Sequence, residues 1–155
     1  MFTLTIQELI SSKPAFDRLA ALDGVKPAIK LRLVPIVRSV KQHLEDANGA
    51  RLDLFKHFGT ASETVPGDYE VRPDAPIEAK RAVRDGWQSI LEESIQIPGK
   101  KIPFEVIADA TYVTPMAGRV GLTAEDLCLL DWVIELPAEE AAEAIPSEKA
   151  KAATV

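Results

Sequence analysis

One run of sequence constrains this chain more than any other: KPAIKLRLVPIVRSVKQHLEDANGARLDLFKHFG, from Lys26 to Gly59. Apolar residues fall at Ile29, Leu33, Ile36, Val40, Leu44, Ala47, Leu54 and Phe58, in steps of three and four, with Arg51 at the one position that breaks the series. That period predicts a long amphipathic helix with one face packed away. Val37, Leu52 and Phe55 widen the stripe. Pro27 suits the first helical turn and Gly59 a C-cap. Pro35 lies in the interior, where proline costs about 3 kcal/mol and bends a helix, so a kink is expected there rather than a break.

A second amphipathic helix is expected over IEAKRAVRDGWQSILEES, capped by Asp74. Its apolar face is Ile77, Val83, Trp87, Ile90 and Leu91. Two such stripes are most simply covered by each other, antiparallel, with Trp87 buried between them. The polar segment between them, Thr60 to Pro76, reads as a loop with a brief extended stretch near Tyr69 to Val71. Two six-residue phrases, LTIQEL and LTAEDL, carry the same signal for starting a helix. Thr5 with Glu8, and Thr123 with Asp126, have capping-box spacing. The first helix is expected to stop near Ser11, Ser12 and Pro14, with a second short helix from Pro14 to Leu22. The second box should open a helix running from Thr123 to Leu136, where Pro137 stops it.

Around Pro98-Gly99 the period changes to two. IQIPGKKIPFEVI reads as a small β-hairpin, to which Phe2, Leu4 and Ile6 could add a short strand. The segment ATYVTPMAGRVG reads as a loop. The expected fold is therefore α+β, mainly α: an antiparallel pair of long amphipathic helices with shorter helices and a small β-hairpin. Residues 1–136 make a single globular domain. Residues 137–155, alanine-rich, charged and poor in bulky apolar groups, make a flexible tail whose deletion should leave the fold intact.

Composition narrows the functional classes. The chain has 155 residues, enough for one core without a metal or disulfide. Its net charge of −6 disfavours broad binding to nucleic acid or anionic membrane. The single cysteine, Cys128, cannot form an internal disulfide and reads as a small buried hydrophobe. MFTLTIQELI lacks the basic start and apolar run of a leader, and no apolar run has the length of a membrane span. A cytoplasmic protein is expected.

The search for chemistry returns little. His43 and His57 lie fourteen residues apart on one helix, about 21 Å along its axis, and cannot share an ion. No nucleophile elbow and no phosphate-cradling glycine motif occurs. Catalytic residues, metal ligands and cofactors are therefore all expected to be absent. One electrostatic feature stands out. From Lys26 to Lys41 there are five basic residues and no acid, and Lys26, Lys30, Arg38 and Lys41 share one arc beside the apolar stripe. The plainer reading of such a strip is a solvated helix flank paired with acidic residues elsewhere; as a contact site it suits an acidic protein surface or phosphates. No aromatic residue is interleaved with it, which counts against single-strand binding.

The layout as a whole resembles small uncharacterised proteins encoded by tailed bacteriophages. The resemblance runs from Leu4 to Leu136. It is carried by the capped start, the basic-to-acidic helix ending in LFKHFG, the segment LEESIQIPGKKIPFEVI and the closing LTAEDLCLLDWVIE. It implies a phage or prophage origin and brings no site residues with it. The reading is a non-enzymatic, phage-encoded protein-interaction protein in the bacterial host cell, either a virion or assembly accessory or a binder of a host factor. The alternatives are a nucleic-acid-associated protein using the basic strip and an enzyme of unrecognised type.

Overall fold

The computed structural model describes residues 1–137, so the expected tail lies, apart from Pro137, outside the described residues. The elements run in the order β1 (Phe2–Thr5), α1 (Ile6–Ala20), α2 (Pro27–Phe58), β2 (Thr60–Ala61), β3 (Tyr69–Glu70), α3 (Ile77–Leu91), β4 (Ser94–Ile97) and β5 (Ile102–Pro103). A short 3₁₀ turn, Phe104–Val106, follows, and then β6 (Tyr112–Thr114), β7 (Gly118–Val120), α4 (Ala124–Leu129) and β8 (Ile134–Glu135). The fold is α+β, with one long helix and small strand pairs.

Both capping boxes form. Thr5 Oγ1 accepts from the Glu8 amide at 3.2 Å, and the Thr5 amide donates to Glu8 Oε2 at 2.6 Å. That backbone bond, and then the Thr5 hydroxyl, hold the Glu8 carboxyl below the usual carboxylate range. The aspartate box is equally complete: the Asp126 amide donates to Thr123 Oγ1 at 3.1 Å, and the Thr123 amide to Asp126 Oδ2 at 3.0 Å.

The first helix does not stop at Ser11. It continues through Pro14 to Ala20. Pro14 is exposed, so the carbonyl it leaves unpaired faces water, while Leu9, Ser12, Phe16 and Leu19 keep an unbroken buried stripe. Burial of that stripe outweighs the local preference of proline. Ser12 fits inside because its hydroxyl donates to the Leu9 carbonyl at 3.2 Å.

The long helix is a single element through Pro35, which is exposed. Its two halves have different neighbours. In the first half, Ile36 and Val40 join the main core with α1 and the β1–β4 pair. The second half meets α3: a Cβ on Gly86 would lie 2.8 Å from Leu54 Cδ1, so the glycine permits this close approach. Ala47, earlier in α2, shares a cavity wall with Ile90, later in α3, so the two helices run antiparallel. The expected pairing along the whole stripe is corrected. A fifteen-residue helix is about 22 Å long and cannot cover the roughly 48 Å of α2. Trp87 is accordingly half-buried and lies outside the main core, and Ile77 is exposed. Asp74 does not cap α3 either; Pro76 occupies that position without a side-chain cap.

The expected hairpin at Pro98-Gly99 is also corrected. The alternation is real, with Ile95 and Ile97 buried and Ser94 and Gln96 exposed. Its partner is β1, antiparallel, with Phe2 opposite Ile97 and Leu4 opposite Ile95. The short N-terminal strand ends where Thr5 begins to cap α1. Gly99 is not an exposed hairpin tip: a Cβ there would come within 3.0 Å of both Phe2 and Ile36. The chain at Gly99 lies against the side chains of Phe2 and Ile36 at the edge of the core, and β5 then pairs in parallel with β8. That pairing shortens the last helix, which ends at Leu129 rather than Leu136 so that Ile134 can lie opposite Ile102. The hairpins that form are elsewhere. The pair β6–β7 occupies the expected loop, turning through residues 115–117 and re-entering the ladder at Gly118 with φ 71°. The pair β2–β3 folds back on the end of α2, with Lys56 Nζ 5.7 Å from the centre of the Tyr69 ring.

Cys128 is exposed, contrary to the expectation of a buried hydrophobe. Asp126 and Leu130 face inward on α4, and Cys128, between them in sequence, turns outward. Ellman's reagent should therefore titrate about one thiol in the native protein within minutes, at nearly the rate seen in denaturant. Labelling only after unfolding would contradict this exposure.

Candidate functional site

All four residues of the basic strip are exposed on the first half of α2 or at its N-cap. The structure gathers three of them. Lys30, Arg38 and Lys41 surround one cavity of about 560 Å³ with Leu33, Val34 and Val37, closed on its far side by Ala20 of α1. Lys26, at the N-cap, lies outside that cavity. Two of the four cations have acidic neighbours: Lys30 Nζ is 4.0 Å from Asp23 Oδ1, and Lys41 Nζ is 3.7 Å from Glu45 Oε1. These are exposed pairs of the kind worth little. Among the described residues, Lys26 and Arg38 form no ion pair.

The sequence reading missed the apolar part of this surface. Leu31 is 72% exposed, Val34 48% and Val37 36%, although Val37 was assigned to the buried stripe. The signal is present in LRLVPIV, which carries more apolar residues than one helix face can bury. Ile29, Leu33, Ile36 and Val40 already satisfy the core, so Leu31, Val34 and Val37 form a surplus strip. Adjoining the basic cavity, and sharing Ala20, Val37 and Lys41 with it, is a second cavity of about 490 Å³ between α1 and α2. Phe16, Val40 and Leu44 contribute to its walls, and its rim carries Lys13, Asp17 and Glu45. Together the two form a groove along α2, apolar inside, purely basic at one end and mixed in charge at the other.

Two further cavities among the described residues do not converge on a reaction. One, between β1, α1 and α4, brings Cys128 and Lys101 onto the same wall, with Lys101 Nζ donating to the Asp131 carbonyl at 2.5 Å. Another is lined by His43, whose Nε2 lies 3.3 Å from the Gln96 carbonyl oxygen. The two histidines are not brought together; His57 stacks edge-on against Phe58 at 4.6 Å. Among the described residues, no group of three or more histidine, cysteine or acidic side chains is placed to hold a metal ion. None of the described helices is long and apolar enough to cross a membrane.

The chain matches no protein-family model, no curated protein and no solved structure. The groove and its charges are thus the basis for assigning a function.

Proposed function

We propose that this is a protein-interaction protein that binds an acidic partner protein through the outer face of the first half of α2. We further propose that it is phage-encoded and acts without catalysis, as a virion or assembly accessory or as a binder of a host factor in the bacterial cell. The observation that carries the reading is the placement of exposed Val34 and Val37 among Lys30, Arg38 and Lys41, with Leu31 exposed on the same half of the helix. A contiguous apolar surface rimmed by polar groups marks a contact site in a soluble protein. The choice of a protein over nucleic acid follows from the same side chains. Phosphates reward the cations but gain nothing from leucine and valine, and this face offers no aromatic ring for base stacking. The phage part rests on the resemblance in layout described above.

Site-specific photo-crosslinking tests this. A photoreactive amino acid replaces Val34, or Asp53 on the acidic half as a control, and the protein is irradiated in host-cell extract with and without phage particles. The expected result is an adduct from position 34 with an acidic segment of a single protein, abolished by Arg38→Glu with Lys41→Glu. Adducts from position 34 that are no stronger than those from position 53, or that consist of nucleic acid, would sink the proposal.

A further inference from the structure

We infer that the groove between α1 and α2 is the seat for one acidic amphipathic helix of the partner, laid alongside α2 with its apolar side chains inserted beside Val34 and Val37. This rests on the reading that the α2 face binds a protein, and adds the form of the ligand. The lining residues of the two cavities run from Lys30 to Asn48 of α2, about 27 Å of helix axis. That length accommodates about five turns of a ligand helix. A ligand helix presents apolar groups every three or four residues, which is the periodicity of the groove's own floor. The floor is already partly built by core residues: Phe16 is 2% exposed and Val40 4%. It is therefore held rigidly by the fold, and a helix docking on it has no floor to reorganise.

Charge decides which helix. A second copy of this chain gains less: even with the two α2 helices antiparallel, so that Lys30 meets the mixed end, Arg38 and Lys41 face each other across the midpoint of the groove. A ligand with acidic flanks meets opposite charge instead. The rim also sets an orientation. Lys30 and Arg38 border an end whose lining holds no acid, with Asp23 just outside it at 4.0 Å from Lys30 Nζ, whereas Asp17 and Glu45 sit among Lys13 and Lys41 at the other. The ligand's carboxylates should concentrate over the Lys30–Arg38 end, and the other end should tolerate neutral or mixed residues.

The test uses the purified full chain and three synthetic helices of equal length, each with a fluorophore. One carries leucines at three- and four-residue spacing with glutamate flanks, one has the same leucines with lysine flanks, and one has serines in place of the leucines with glutamate flanks. The leucine–glutamate helix should bind with a Kd on the order of 10 μM and weaken with added salt. The other two should bind at least about tenfold more weakly. Val37→Glu, and separately the milder Val34→Ser, should weaken the leucine–glutamate helix by about tenfold and about threefold while leaving the unfolding midpoint nearly unchanged. If the serine–glutamate helix binds as well as the leucine one, or if neither valine change matters, the groove is not the seat. The broader reading of an acidic partner on the α2 face would survive that result. If the leucine–lysine helix or a 20-base-pair DNA duplex binds best, the inference and that broader reading fail together.

Discussion

Trp132→Ala should destabilise the protein by about 3–5 kcal/mol in denaturant unfolding, while Trp87→Ala should cost only about 1–2 kcal/mol. The two tryptophans differ in what surrounds them. Trp132 lies edge-on to Phe2, with ring centres 5.5 Å apart, and stacks on Phe16 at 5.7 Å. It thus joins the N-terminal strand, the first helix and the last turn of the fold in one aromatic cluster. Removing it deletes both ring contacts and opens a void against Phe16, which is 2% exposed. Trp87 lies on a helix that covers only part of α2, and it does not pack against that cluster. The buried indole Nε1 of Trp132 has no hydrogen-bond partner among the described residues. Trp132→Phe should therefore be mild, below about 1.5 kcal/mol, since it keeps a ring and removes an unsatisfied donor. Equal losses at positions 87 and 132 would mean that α3 shares the central core.

Arg18→Met should cost about 3 kcal/mol, and the double change Arg18→Met with Asp126→Leu should recover most of that loss. Asp126 is 1% exposed and accepts a bond from the Arg18 guanidinium, which ties α1 to α4. Without Arg18 the carboxylate stays buried with no ionic partner and only its capping bond to the Thr123 amide. Replacing both groups by apolar ones of similar size removes the stranded charge. It leaves only the loss of the carboxylate half of the capping box, about 1 kcal/mol, since the Thr123 hydroxyl still accepts from the amide of residue 126. Arg18 is itself partly exposed and can turn to water, so Asp126 is the side of the pair that suffers when the partner is lost. If the double variant proves less stable than Arg18→Met alone, the pair contributes more than a buried charge neutralised in place.

What could be read from the sequence follows a physical line. The ends of α2, marked by Pro27 and Gly59, and the two capping boxes were legible because each depends on residues within one turn. Pro14 misled because its local preference is set against a buried stripe that only the folded chain reveals. The alternation of Ser94 to Ile97 was legible, but its partner was not. Register depends on which strand arrives from elsewhere, and Phe2 to Thr5 is remote in sequence. The candidate site was half legible. Its cations could be counted along the helix, whereas the exposure of Val34 and Val37 depends on how α1 crosses α2. Cys128 was misplaced for a similar reason, since one turn of a short helix decides which way it faces.

The antiparallel pairing of β1 with β4 has a consequence for how the chain is made. Phe2 to Thr5 leaves the ribosome about ninety residues ahead of Ser94 to Ile97, which completes its hydrogen bonds. At roughly 5–20 residues per second, the first strand waits about 5–20 s with Phe2 and Leu4 uncovered. Through that interval α1 and α2 can form locally, but the aromatic cluster around Trp132 must wait longer still. Native structure in this protein is therefore sealed from its late half, and a nascent chain arrested before Ile97 would present an apolar strand with no partner to whatever meets it at the ribosome exit.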